Sequence, residues 1–216
     1  MTIQKASKAA SPHVRRTQQE RRTATITKLI DATIDSIAEI GYQRATVQEI
    51  CRRAGLSTGA MFRQFDTRLD LVVKTAEEIF TRQMEGFRAA MNELGDREDS
   101  VPTALRFLRA AQSSSTVHSL REIYLAARSD AELQARLTPI AEDYYARIIA
   151  DVEQFGVMDR WPPNVRKSLF FVLLYVFSGE AVVHSVYTQP DLDDSVLAVL
   201  EDMLLTYTTA HPGIHP

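Results

Sequence analysis

The sequence is poor in the residues that make turns and cross-links. Its 216 residues include only 8 Gly, 8 Pro and 1 Cys, and Gly and Pro together fall well below their usual share of a globular protein. A β-sandwich or β-barrel needs many tight turns, so this scarcity argues against both. A single Cys excludes an internal disulfide framework and a cysteine-rich zinc site, and it favours a reducing compartment.

Long apolar runs and catalytic motifs are absent as well. No stretch of 18 or more uncharged apolar residues occurs, which argues against a membrane span. The first 25 residues are polar and basic, unlike a secretory signal, so the expected location is the cytoplasm without membrane contact. The sequence holds no G-x-S-x-G, H-E-x-x-H, P-loop or G-x-G-x-x-G motif, and His211 and His215 lack further ligands nearby. We therefore expect no enzyme, no cofactor and no metal site.

What is present is a strong asymmetry of charge. Residues 1–68 hold 12 Lys and Arg against 6 Asp and Glu, a net charge of +6, whereas residues 69–216 hold 13 against 22, a net charge of −9. A basic first third on an acidic remainder suggests that one end of the chain meets a polyanion. Six of the basic residues lie within the first 22 positions, so a basic tail is an alternative explanation.

Apolar residues recur at helical spacing along most of the chain. Residues 1–22 lack this period and predict a flexible basic arm. Helices are predicted at about 26–40, 46–54, 57–65, 68–94, 101–115, 117–128, 130–155, 163–188 and 191–209. No segment alternates long enough to predict a strand. The predicted fold class is all-α with about nine helices: a three-helix domain over residues 23–68, a larger helical domain over residues 69–211, and a tail over residues 212–216.

Residues 46–65 are typical of a helix, a tight turn and a second helix. Thr46 and Glu49 match a capping box, and Gly55 suits the turn. Helices of about two turns are unstable alone, so packing must hold them, and their shared apolar face comprises Ile34, Ile37, Ile50, Leu56, Met61 and Phe65. This pattern indicates a helix-turn-helix, whose second helix enters a DNA major groove. A helical hairpin buried in an all-α domain is the alternative.

The second short helix begins with Ser57-Thr58-Gly59-Ala60. Small side chains let backbone N–H groups approach phosphates, and hydroxyl groups can reach base edges. The basic residues around this segment favour DNA binding over a buried hairpin, and they are Arg44, Arg52, Arg53, Arg63 and Arg68.

The stretch from Ile26 to Leu71 resembles the N-terminal domain of TetR-type transcriptional regulators. The motifs that carry the resemblance are G-Y-Q-R-A-T at residues 41–46, A-G-L-S at residues 54–57 and F-R-Q-F at residues 62–65. The resemblance implies a homodimer that binds a palindromic double-stranded DNA operator, usually as a repressor. With the basic patch it implies DNA contacts from Thr46, Ser57, Thr58, Gly59, Ala60, Phe62, Gln64, Arg68 and Arg44.

Three positions depart from the family pattern. Phe62 stands where the family commonly has Tyr, so a hydroxyl directed at phosphate is missing. Gln64 stands where His is common, although it still offers a donor. Asp66-Thr67-Arg68 stands where Pro-Ser-Lys is common, and Asp66 adds a charge that phosphate repels.

The family resemblance implies that the larger domain forms a dimer and binds a small-molecule effector. The sequence does not give the identity of this effector. The apolar run at residues 169–177 and the last helix predict a four-helix interface, with a purely internal core as the alternative. The interface residues are predicted to be Phe170, Leu174, Phe177, Leu197, Leu200 and Leu204. The effector site is predicted to draw on Phe107, His118, Arg121, Tyr124, Arg128, Tyr144, Arg147 and His184, each of which has a core or solvated role as its alternative.

Two other functions remain open at this level. A thiol-responsive regulator would use Cys51 and requires an exposed thiol with a low pKa, whereas a small packed residue is the alternative at that position. The second open function is that of a helical interaction protein without specific DNA binding.

Overall fold

The computed structural model describes residues 17–94 and 100–210, and both ranges consist of helices joined by short turns. The predicted all-α class is confirmed, since nine helices and no strand occur in these ranges. They are α1 (Gln18–Ile40), α2 (Val47–Ala54), α3 (Thr58–Phe62), α4 (Arg68–Leu94), α5 (Ser100–Gln112), α6 (Ser115–Ala127), α7 (Ala131–Gln154), α8 (Pro163–His184) and α9 (Pro190–Ala210). We call α1 to α3 the head and α4 to α9 the body.

The start of α1 corrects the predicted flexible arm. The helix begins at Gln18, so residues 18–22 are helical, while residues 1–16 and the predicted tail lie outside the described residues. Thr17 Oγ1 accepts a hydrogen bond from the backbone N–H of Glu20 at 3.2 Å, and Glu20 Oε2 accepts one from the N–H of Thr17 at 2.7 Å. This capping box starts a helix whose first turns are exposed, so no apolar period marks them.

The turn of the helix-turn-helix depends on a glycine and two caps. Gly55 ends α2 with a φ of +65°, in the left-handed region that glycine enters without steric cost. Thr46 caps α2 by accepting from the N–H of Glu49 at 3.3 Å, and Ser57 caps α3 by accepting from the N–H of Ala60 at 3.1 Å. Only half of the predicted Thr46–Glu49 capping box forms, because the Glu49 carboxylate turns to arginines of its own helix.

A reciprocal cap also fixes the start of α4. The backbone N–H and hydroxyl of Thr67 donate to Asp70 Oδ2 at 2.8 and 2.7 Å, and the N–H of Asp70 donates back to Thr67 Oγ1 at 3.0 Å. Arg136 of α7 pairs with the other oxygen of this carboxylate at 2.7 Å. These hydrogen bonds and the ion pair hold the pKa of Asp70 below its usual range. The junction of head and body is therefore tied to α7.

One hydrophobic core runs from the head into the body. The shared apolar face predicted for the head is confirmed, with Ile34, Ile37, Ile50 and Met61 buried and Leu56 and Phe65 packed against them. The same cluster continues through α4, α6 and α7. A second cluster joins α5, the α7–α8 connection, α8 and α9, and it includes Trp161, Phe177 and Leu204. Head and body therefore share side-chain packing across the residue 68 boundary.

Candidate nucleic-acid interface and internal cavity

The exposed side of α3 and its N-terminal cap forms a small polar surface on the head. Ser57, Thr58 and Gly59 are exposed, and Phe62 keeps 52% of its surface in contact with solvent. Met61 is fully buried, as predicted. The predicted DNA contact by Ala60 is wrong, because this residue is only 9% exposed and belongs to the core, as Met61 does. The outward face of α3 is thus formed by the other predicted residues.

Two exposed arginines flank this face. Arg63 follows Phe62 directly, and Arg44 precedes Thr46, which is itself exposed at the start of α2. Arg44 donates through Nε to the carbonyl of Ile40 at 2.7 Å. Neither arginine forms an ion pair with any carboxylate in the described parts of the chain. Both positive charges therefore remain available to a polyanion.

Arg52 and Arg53, by contrast, are occupied. Both donate to Glu49, at 2.7 to 2.8 Å from Arg52 and 2.6 Å from Arg53. Arg53 Nη1 also reaches Glu39 of α1 at 2.6 Å. These hydrogen bonds lower the pKa of Glu49 to about 2. The basic surround expected from sequence is therefore partly neutralised by acidic residues of the head itself.

Arg68 has a structural role that its sequence position did not reveal. Its guanidinium donates to the carbonyl oxygens of Ala45 at 2.8 Å and Tyr42 at 2.5 Å, and it lies over the Tyr42 ring at 4.3 Å from the centroid. Arg68 therefore ties the first turn of α4 to the connection between α1 and α2. This engagement disfavours the phosphate contact that the family resemblance implies for Arg68. A phosphate contact by Gln64 stays a prediction, and its Oε1 is buried without a hydrogen-bond partner among the described residues.

An internal cavity of about 670 Å³ lies between the two hydrophobic clusters. Its walls come from α4 to α9 and from the connection between α7 and α8, and most of them are apolar or aromatic. Of the residues predicted for the effector site, four line this cavity: Phe107, Arg121, Tyr124 and Tyr144. A mainly apolar space of this size is typical of a small-molecule site.

The other four predicted effector residues lie elsewhere. His118, Arg128, Arg147 and His184 are not in the cavity wall. Arg147 is exposed and pairs with Asp143 one turn away on α7, and Arg128 is exposed at the end of α6. Helical spacing alone does not tell which side of these helices faces inward. Sequence reasoning also missed Gln83, Gln112, Trp161 and Ser178, polar wall residues whose surroundings in sequence carry no motif.

The cavity wall contains several buried polar atoms. Gln83 Nε2 and Trp161 Nε1 are buried and have no hydrogen-bond partner in the part of the chain that the structure describes, whereas the buried Tyr124 hydroxyl interacts with that of Tyr145. Burial raises the pKa of both Tyr124 and Tyr144. The two amide oxygens of the wall are already engaged, since Tyr144 donates to Gln83 Oε1 at 3.2 Å and Ser178 donates to Gln112 Oε1 at 2.9 Å.

Helix α6 connects the cavity to the head. Its inner face lines the cavity with Val117, Leu120, Arg121 and Tyr124. On its other side, Ser119 Oγ donates to the carbonyl of Ile34 in α1 at 2.7 Å. Glu122 reaches the end of α1, where a Cβ added to Gly41 would lie 3.4 Å from its carboxylate. A displacement of α6 by a bound molecule would therefore act directly on α1.

Two of the predicted dimer residues, Phe177 and Leu204, are buried within one chain and correct the prediction, whereas the other four are half-buried and stay a prediction. Phe177 is 0% exposed and Leu204 is buried, Phe170 and Leu174 line the cavity, and Leu197 and Leu200 pack on the second core cluster. The exposed apolar side chains are others, namely Val172, Tyr175, Val176, Val182, Val183, Val186, Tyr187, Leu192, Val199, Met203, Leu205 and Tyr207. Because the 169–177 run is apolar on all sides, the sequence does not distinguish its inner side from its outer side.

Within the described ranges, α8 is the one helix whose length and composition would allow it to cross a membrane. It is nevertheless built into the bundle. Glu180 of α8 accepts two hydrogen bonds from Arg109 of α5, at 2.8 Å from Nε and 2.5 Å from Nη2, and both side chains are largely buried. The helix also supplies one wall of the cavity and packs against α5.

Cys51 is buried within α2, as the packed-residue alternative predicted. Its burial raises the pKa of the thiol. A thiol that is both buried and protonated is a poor nucleophile. The environment of Cys51 therefore disfavours a redox-sensing role.

The head has the architecture of a helix-turn-helix DNA-binding protein, and comparisons with known proteins define the class further. The family profile described as bacterial regulatory proteins, tetR family, matches residues 29–75. An HTH-type transcriptional regulator of Mycobacterium tuberculosis is 35% identical over 189 residues, which cover 88% of this chain and 97% of the relative. The chain belongs to the TetR family of DNA-binding transcriptional regulators.

Solved structures agree with this assignment at the level of the fold. A TetR-family regulator from Mesorhizobium loti has a TM-score of 0.65 and 18% identity, covering 86% of this chain and 98% of the other. A transcriptional regulator from Rhodococcus has a TM-score of 0.63 and 21% identity, covering 84% and 96%. At these identities the likeness concerns the fold alone.

Proposed function

We propose that this protein is a ligand-responsive repressor that binds a palindromic DNA operator as a homodimer and leaves it when a small molecule fills the body cavity. The observation that carries the DNA part is the exposed face of α3 with Ser57, Thr58 and Gly59. Arg44 and Arg63, which precede and follow this segment in the sequence, are exposed and have no acidic partner among the described residues. We expect the protein in the cytoplasm.

The DNA contacts are proposed to divide by chemistry. Ser57, Thr58 and Gly59 suit backbone and hydroxyl contacts in the major groove, and Phe62 suits an apolar contact with a thymine methyl group or a sugar. Thr46 and Arg44 suit phosphates beside the groove. Arg63 adds a phosphate contact that the predicted set did not include.

The homodimer is proposed to form through the outer faces of α8 and α9. Val172, Val176 and Val183 lie three to four or seven residues apart on α8, so they share one side of that helix. Val199 and Met203 do the same on α9. An exposed apolar surface of this extent is typical of an interface. Two heads must be held about 34 Å apart to enter successive grooves on one side of DNA.

Release of DNA is proposed to follow from movement of α6 and α4, the helices that contact both the cavity and the head. A ligand that fits the cavity better when α6 is displaced favours a state in which Ser119 shifts α1 and the spacing of the two heads changes. The long α4 runs from the head into the cavity wall and provides a second path.

The test is selection of bound sequences from a random DNA pool, followed by salt titrations of binding to the selected site. We expect a palindromic site, and we expect Arg63→Ala to weaken binding and lower the salt slope by about one unit. Arg106→Ala is the matched control, because Arg106 is an exposed arginine on α5 of the body. Failure to enrich any sequence, or equal slopes for the Arg63 variant and the wild type, would contradict the proposed interface. A helical interaction protein without specific DNA binding would give the first of these results.

A further inference from the structure

The cavity has a definite charge character. Among the described residues, no Asp, Glu, Lys or His lines it, and the charged side chains of the wall are Arg82 and Arg121. Arg82 is neutralised by Asp31 at 2.7 Å and Glu78 at 2.9 Å. Arg121 donates to the carbonyl of Gln112 at 2.9 Å but forms no ion pair with any carboxylate that the structure describes. Among the described residues, the cavity wall therefore contains one arginine without an ion-pair partner.

Arg121 is held in a partly apolar environment. It lies on the inner face of α6 next to Val117 and Leu120, and burial lowers its pKa. A guanidinium nevertheless stays protonated in proteins. Its neighbour in sequence, Glu122, points to Gly41 at the head and not into the cavity. The Glu122 carboxylate acts on Arg121 only through space and forms no ion pair with it. A half-buried cation without a direct partner is costly, and an anionic ligand would lower that cost.

The unpartnered polar atoms of the cavity share one chemistry. Among the described residues, Gln83 Nε2 and Trp161 Nε1 are pure donors without a partner, whereas the Tyr124 hydroxyl, one helical turn from Arg121, interacts with the hydroxyl of Tyr145. The amide oxygens of Gln83 and Gln112 already accept hydrogen bonds from the wall. The wall thus offers two amide or indole donors to a ligand, while both amide oxygens are already engaged.

We propose that the cavity binds an organic anion, a carboxylate on an apolar body, with the carboxylate paired to Arg121 and the body against the apolar and aromatic walls. This inference rests on the proposed role of the cavity as the effector site and specifies the ligand class. It excludes organic cations, which would meet Arg121 and find no carboxylate in the wall. Gln83 and Trp161 supply further donors for the carboxylate or for other acceptor atoms of the ligand.

The protein contains its own reporter for this binding. Its only tryptophan is Trp161, and the indole lies in the cavity wall with its N–H unpartnered. We would titrate the full chain with octanoate, octan-1-ol and octylammonium and follow tryptophan fluorescence. Octanoate is expected to bind about tenfold more tightly than octan-1-ol, since a hydrogen bond to a charged group contributes roughly 1.4 kcal/mol or more. Octylammonium is expected to bind most weakly.

Variants of Arg121 test the role of the charge. Arg121→Met is expected to remove the preference for octanoate and leave octan-1-ol binding within about twofold, because the methionine keeps the apolar stem. Arg121→Gln retains a donor for the Gln112 carbonyl and is the second variant, in case Arg121→Met disturbs the α5–α6 corner. Arg106→Met is the control, because Arg106 is an exposed arginine outside the cavity wall.

The outcomes separate the ligand class from the regulatory mechanism. An equal affinity for acid and alcohol, tighter binding of octylammonium, no binding of any probe, or an unchanged preference in both Arg121 variants would overturn the inference. Binding of octanoate that leaves the operator complex intact in a gel shift supports the ligand class and contradicts only the proposed release of DNA by such a ligand.

Discussion

The head and the body use their apolar residues in opposite ways. In the head, Ile37, Ile50 and Met61 are fully buried and packed against one another across three helices. In the body, a larger number of apolar side chains surrounds about 670 Å³ of open space. A surface that must fit DNA needs fixed helices, whereas a site that must admit a ligand needs room. The cavity is therefore confined to the body, whereas the three helices of the head close on a filled core.

Matched truncations in the two regions give the largest expected effects. Ile37→Ala in α1 should lower the free energy of unfolding by about 2–5 kcal/mol, because it opens a new void in a filled core. Ile148→Ala in α7 should lower it by about 1 kcal/mol less, because Ile148 already faces the cavity on one side and has fewer contacts to lose. Urea unfolding monitored by circular dichroism measures both values.

Both variants replace an isoleucine within a helix by alanine, so the change in helix propensity is the same in the two. Equal losses for Ile37→Ala and Ile148→Ala would show that the cavity wall is packed as tightly as the head. That result would remove the contrast between the two regions.

The next effect concerns the link between the regions. Arg68→Ala should lower the free energy of unfolding by about 1–3 kcal/mol, because it leaves the carbonyl groups of Tyr42 and Ala45 without their charged donor. The salt slope of DNA binding should stay within about half a unit of the wild-type value, since the guanidinium is engaged inside the protein. Chemical denaturation and salt titration of operator binding are the measurements.

Arg68→Lys is the control for charge. It keeps a cation at the position but loses the planar fork that reaches two carbonyl groups at once, so it should be destabilised nearly as much as Arg68→Ala. A slope lowered by one unit in Arg68→Ala with normal stability would restore the phosphate contact implied by the family resemblance.

The smallest effect is expected on the surface of the head. The pKa of Glu49 is held at about 2 by Arg52 and Arg53, below its ordinary value of about 4.3. A carboxyl whose folded pKa is depressed stabilises the protein above its unfolded pKa, and this contribution is lost as the pH falls toward the folded pKa. Glu49→Gln should therefore be less stable than the wild type near neutral pH, and the difference should narrow between about pH 5 and pH 3.

Urea unfolding of both proteins across this pH range gives the difference directly, and titration of all other carboxyl groups cancels in it. The ion pairs are exposed at Arg52, so the effect at neutral pH should be modest. A difference that does not change with pH would mean that the two arginines do not act on Glu49 in solution.

Much of the head could be predicted from the sequence because its signals are local. The Ser57 cap, the glycine turn at Gly55 and the spacing of Ile50 and Met61 each act within a few residues, and the structure contains all of them. The bounds of α4 were also predicted correctly, since Thr67 and Asp70 form a cap that is visible in the sequence. The ends of α5 and α8 were predicted three or four residues too late, because no capping residue marks them.

The predictions that were wrong concern which side of a helix faces inward. Ala60, Phe177 and Leu204 were assigned to surfaces and are buried, whereas Val172 and Met203 are exposed. The role of Arg68 depends on residues more than 20 positions away. The Glu49 side chain was expected to cap α2, but Arg52 and Arg53 bind its carboxylate instead. Competition between partners is decided by distances in space, which spacing along the chain does not give.

The sequence by itself determined the helical class, the helix-turn-helix and the family, because these follow from the period of apolar residues, local caps and one glycine turn. The tertiary structure decided which positive charges remain unpaired, where the cavity lies and which donors line it. The physical reason is that hydrophobic periodicity and capping act over a few residues, whereas charge pairing and cavity walls arise from side chains of several helices brought together by packing. Arg121 is an ordinary helical arginine in the sequence, and only its surroundings make it the unpaired cation of an apolar cavity.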